Sequence, residues 1–83
     1  MERFRNEIDK IDSEIAKLLE KRFEICSEIG DFKSKNNIET EDKSREKEIF
    51  EKIDNNHFKF SDNIKEVEYK IILESKKIQD NLK

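Results

Sequence analysis

The sequence predicts an all-α fold of three helices in a single domain over residues 1–83, and three observations carry that expectation. Proline is absent and Gly30 is the only glycine, so the chain lacks the punctuation that strands and tight turns require. Apolar residues recur every three or four positions, which is the helical period. Charged residues make up 47% of the chain and hydrophobic ones 33%. Such a balance would suit disorder if the apolar residues were not gathered onto one face of each segment.

In the first segment the large apolar residues are Phe4, Ile8, Ile11, Ile15, Leu18, Ile25, Ile29 and Phe32, a 4-3-4-3 alternation broken only at Arg22. It predicts a long helix over about 2–36, ~50 Å in length at 1.5 Å per residue. A compact monomer of this size is about 30 Å across, so the seam of such a helix is covered only if a second copy packs along it. The mismatch predicts a homodimer. Asn36-Asn37-Ile38-Glu39-Thr40-Glu41 interrupts the pattern, and Asp42 is suited to cap a short second helix over about 43–56 carrying Ile49, Phe50 and Ile53. After a loop around His57–Phe60, Ser61 is the expected cap of a third helix of medium length, about 62–82, with Ile64, Val67, Ile71, Ile72, Ile78 and Leu82 on its apolar face. Phe58 and Phe60 are expected to close the core beneath that loop.

Net charge is only −3, from 18 basic and 21 acidic residues, so no one-signed field recommends nucleic acid or anionic lipid as a partner. The opening Met1-Glu-Arg-Phe-Arg-Asn-Glu is too polar for a signal peptide or membrane anchor, and the lone Cys26 cannot form an internal disulfide. A cytoplasmic location is the expectation. His57, among polar neighbours, is expected in a solvated loop, and Cys26 as a small packed hydrophobe.

Polar residues on apolar faces need explaining. A cation inside an apolar seam costs several kcal/mol of desolvation unless partnered, which singles out Arg22. Lys33 follows eleven residues later, about 20° around the axis and roughly 16 Å along it. Asp42, Arg45, Glu46 and Ile49 share a stripe on the second helix, and Ser75 and Gln79 stack four apart on the third. These positions are suited to converge on one cavity. The chain uses 14 Lys but only four Arg, at 3, 5, 22 and 45. Arginine's planar fork binds a carboxylate through two hydrogen bonds, so its sparing use at inward sites points to anion recognition. The plainer reading pairs Arg22 with Glu46 or another acid, merely fixing register. Arg5 lies seventeen residues before Arg22, about 25 Å away and rotated by roughly 100°. Within one chain it cannot share that cavity; from the partner of an antiparallel dimer it can. A solvated basic end is the simpler account of Arg3 and Arg5 together.

These residues resemble the all-helical chorismate mutases along essentially the whole chain. The stretch from Arg5 to Arg22 is similar to that family's opening helix, and Ile29-Gly30-Asp31-Phe32-Lys33 to its Ile-Gly-x-x-Lys segment. Asp42-Lys-Ser-Arg45-Glu46 resembles its Asp-x-x-Arg-Glu motif, and Ile71-Ile72-Leu-Glu-Ser75-Lys-Lys-Ile-Gln79 its Ile-Ile-x-x-Ser-x-x-x-Gln motif. Eight polar positions match in order and spacing. Lys43 departs from a frequent Pro, and the 55–60 loop lacks the Gly and Pro common there.

The resemblance implies an intertwined homodimer with two equivalent sites that rearrange chorismate to prephenate on the route to phenylalanine and tyrosine. It implies that Arg22, Arg45 and the second copy's Arg5 hold the two substrate carboxylates with help from Ser75. Lys33 and Gln79 would face the ether oxygen, and Glu46 and the region of Asp42 the ring hydroxyl. The reaction is pericyclic and needs no nucleophile, metal or cofactor, which suits a chain with one His, one Cys and no ligand cluster. Two rival readings are an isochorismate-pyruvate lyase of the same fold and a non-catalytic helical dimerisation or regulatory module.

Overall fold

Amphipathic spacing becomes three helices in the computed structural model, which describes residues 1–80. They are α1, Glu2–Lys35, α2, Lys43–Asn55, and α3, Ser61–Asp80, with no strand among the described residues. The sequence expectation sets these bounds at about 2–36, 43–56 and 62–82. Leu82, expected on the third helix, lies outside the described residues.

Local chemistry ends α1 just past Lys33. Asn37 adopts a left-handed φ of 55°, a conformation that asparagine tolerates better than most side chains. Its N–H donates to the Ser34 carbonyl at 3.4 Å and the Ile38 N–H to the Lys33 carbonyl at 2.8 Å. Those paired bonds satisfy carbonyls that would otherwise be orphaned at the helix end. Asp42 caps α2 as expected, its Oδ1 accepting the Arg45 N–H at 3.0 Å. At the end of α2, His57 takes the left-handed position with φ 53°.

Two expectations change. Ser61 is the first residue of α3 rather than its cap, because the Phe60 carbonyl accepts the Ile64 N–H at 3.0 Å and the helix starts one residue early. Phe58 and Phe60 close no core: they remain 46% and 62% exposed. The reason is the shape of the chain. α3 packs against both α1 and α2, which do not pack against each other, and the extents are 51 × 25 × 14 Å. An elongated arrangement of this kind encloses few side chains, and only five of the described residues with side chains beyond hydrogen are buried. The radius of gyration, 15.4 Å, exceeds the ~12 Å of a compact chain of this length.

What is buried lies where α3 meets its neighbours. Cys26 and Ile72 are the buried apolar side chains among the described residues, and Thr40, Ser75 and Gln79 the buried polar ones. Cys26 and Gly30, four apart, are the small residues that α1 buries. Its large residues do the opposite: the eight of the seam, from Phe4 to Phe32, stay 39–63% exposed.

Candidate active site

With α1 and α2 separated by α3, a hollow of about 360 Å³ opens between them. Its apolar walls come from Ile25 and Ile29 of α1, Ile49 of α2 and Ile72 of α3. Seven of the eight polar positions singled out in the sequence line it: Arg22 and Lys33, then Asp42, Arg45 and Glu46, then Ser75 and Gln79. Arg5 does not. It stands at the far end of α1, its Nη1 3.7 Å from Glu2 Oε1 and its side chain 68% exposed, in keeping with the geometric argument that it cannot serve the hollow of its own chain.

Arg22 is held on two sides. Its Nη1 donates to Ser75 Oγ, and at 3.7 Å to Cys26 Sγ, while Nη2 lies 3.6 Å from Glu68 Oε1. The Ser75 hydroxyl donates in turn to the Ile71 carbonyl at 2.7 Å, which aims its lone pairs at the guanidinium. The two readings of Arg22 therefore meet: an acid does pair with it, but that acid is Glu68, and the arginine still faces the hollow.

Lys33 projects from the last turn of α1, and its Nζ donates to the Thr40 carbonyl at 3.0 Å. Thr40 is anchored to α3 through a 2.6 Å hydrogen bond from its Oγ1 to Asp80 Oδ1. Beside them, Gln79 is buried with an Oε1 that has no hydrogen-bond partner among the described residues. An unmet buried acceptor costs about 1–3 kcal/mol, and a terminal amide can rotate to present either its oxygen or its two N–H donors to a ligand.

On α2 the cations and acids are already engaged. Arg45 Nη1 lies 3.1 Å from Glu48 Oε2 in a pair more than half exposed, which contributes little to stability in water. Glu46 Oε2 meets Lys76 Nζ at 3.0 Å, and the same ammonium reaches Glu41 Oε1 at 3.1 Å. Hydrogen bonding to Glu46 first, and to Glu41 second, holds the Lys76 ammonium above its ordinary pKa against the opposing effect of burial. Counting Lys76, four cations and two acids among the described residues line the hollow, a surplus suited to an anion.

Thr40, Lys76 and Glu68 escaped the sequence reading. Thr40 lies in an aperiodic loop and gave no signal. Lys76 lay hidden among 14 lysines, although Ile72, Lys76 and Gln79 share one stripe of α3. Glu68 continues that stripe one turn earlier. Among the described residues no group of three or more His, Cys, Asp or Glu side chains is placed to hold a metal ion, and no helix is long and apolar enough to cross a membrane.

Comparison with known proteins places these residues in context. The family model for chorismate mutase type II matches residues 4–80. The bifunctional chorismate mutase/prephenate dehydratase of Aquifex aeolicus (strain VF5) is 47% identical over 53 residues, which are 64% of this chain. The chain spans 15% of that relative's length. No solved structure gives a significant match.

Proposed function

Because the chain belongs to the chorismate mutase type II family, we propose that it is a cytoplasmic enzyme that converts chorismate to prephenate in a site shared between two copies of itself. The observation that carries this reading is the gathering of Arg22, Lys33, Arg45 and Gln79, drawn from three helices, around one hollow.

In the rearrangement an ether carbon–oxygen bond breaks as a carbon–carbon bond forms, and no proton changes hands. The protein's task is to hold a flexible dianion in its folded conformer and to stabilise the charge that grows on the ether oxygen. Arg22, steadied by Ser75, and Arg45 grip the carboxylates, and Arg5 of a second copy completes the grip. Lys33 and the Gln79 amide donate to the ether oxygen. Glu46 accepts from the ring hydroxyl, with Asp42 beside it.

The second copy is supported by the uncovered seam. Each of its eight side chains still exposes about half its surface, so covering one is worth about 1 kcal/mol. Two such seams give roughly 16 kcal/mol, against an association cost of about 4–15 kcal/mol. An antiparallel pairing of two α1 helices would carry Arg5 of one copy to the hollow of the other.

The test is incubation of the purified protein with chorismate, following loss of the diene absorbance and identifying the product. Prephenate is expected. Pyruvate released from the positional isomer isochorismate would instead mark a lyase, and absence of turnover with either compound would leave a non-catalytic helical module.

A further inference from the structure

Arg22 stands between the hollow and an acid that does not line it. Along the inward face of α3, Ile64, Glu68, Ile72, Ser75 and Gln79 follow at helical spacing, so an acid occupies a place where the pattern wants carbon. Its side chain is 19% exposed, the lowest of any acid in an ion pair among the described residues, with Glu46 next at 26%. Among the described residues the only cation that it meets is Arg22. The two terminal nitrogens of that guanidinium thus go to two residues of α3 seven positions apart, Nη2 to Glu68 and Nη1 to Ser75.

Resting on the assignment of the hollow as a chorismate site, we infer that Glu68 is a positioning residue that fixes the plane of the Arg22 guanidinium so that it meets the substrate carboxylate in the reactive geometry. Charge neutralisation alone does not account for it. An acid held against a site cation weakens the positive field that attracts a dianion, so its electrostatic effect on capture is unfavourable, and what it supplies in return is orientation. These two effects have opposite signs in kinetics, which makes them separable. Removing the charge while keeping the shape favours capture and lowers KM, whereas freeing the guanidinium lowers kcat.

Steady-state kinetics on the full chain with chorismate, for wild type and Glu68→Gln, therefore test the inference. Misplaced catalytic groups cost up to about 100-fold, and a kcat loss on the order of 10-fold or more with KM unchanged or lower is expected. In an Arg22→Lys background, where no fork remains to be oriented, Glu68→Gln should cause no comparable further loss. Arginine side-chain NMR gives a readout independent of turnover, since the chain has only four arginines. The Arg22 Nη protons should exchange slowly in wild type and rapidly in Glu68→Gln. Should Glu68→Gln not fold, Glu68→Asp keeps the charge but withdraws the carboxylate by one methylene, and the same kcat loss is expected with KM unchanged. A raised KM at unchanged kcat, or an equal loss in the Arg22→Lys background, overturns the inference, as does unchanged exchange at Arg22. A wild type without chorismate mutase turnover overturns the reading of the site instead, and the NMR comparison still decides whether Glu68 holds Arg22.

Discussion

Lys33 and Arg22 both face the hollow, yet their supports differ, and so should the effects of losing them. Lys33 leans on a single backbone carbonyl, that of Thr40, so its removal strands no buried charge. Lys33→Ala should lower kcat by about 10²–10³-fold, the usual cost of losing one preorganised donor to a developing oxyanion, while the thermal midpoint followed by circular dichroism stays within a few degrees. Arg22→Ala should abolish most turnover as well, but it leaves Glu68 and Ser75 facing a void and should also lower the melting temperature. A near-normal rate in either variant would refute the assigned roles. Arg22 was conspicuous in the sequence because it breaks a regular seam. Glu68 breaks an equally regular stripe and was equally readable; it went unseen because 21 acidic residues make one more carboxylate unremarkable.

At the scale of elements, spacing alone located all three helices, since each buries or offers one face and that constraint writes itself into the order of residues. Ends were harder. Ser61 has the chemistry of a cap, but the backbone bond that starts α3 belongs to Phe60, and side-chain preference cannot separate neighbouring registers. Harder still was the α1–α2 connection, where Thr40 and Glu41 reach α3 through contacts that no periodicity encodes. Lys76 ties that connection and α2 to α3 at once. Its ammonium is held above the ordinary value of 10.5, so the tie contributes fully below pH 10.5 and is lost as pH rises through the elevated folded value. Denaturant midpoints measured between pH 7 and 11.5 should fall at the alkaline end, and Lys76→Met should flatten that decline. An identical alkaline decline in the variant would show that the tie carries no stability.

For the whole molecule, an exposed α1 seam leaves the assignment of Arg5 to a second copy as the point most exposed to experiment. Arg5→Ala and Arg45→Ala chains should each be nearly inactive alone. After mixing and subunit exchange, a heterodimer would hold one hollow with both arginines and one with neither, so equal mixing should restore roughly a quarter of wild-type activity. Demonstrated exchange with no recovery would remove Arg5 from the site. The bare seam along α1 has one more consequence. If working units form only by encounter of two chains, their abundance at low copy number scales with the square of polypeptide concentration. Halving the polypeptide concentration would then cut the number of assembled units by more than half, and activity per chain would fall on dilution.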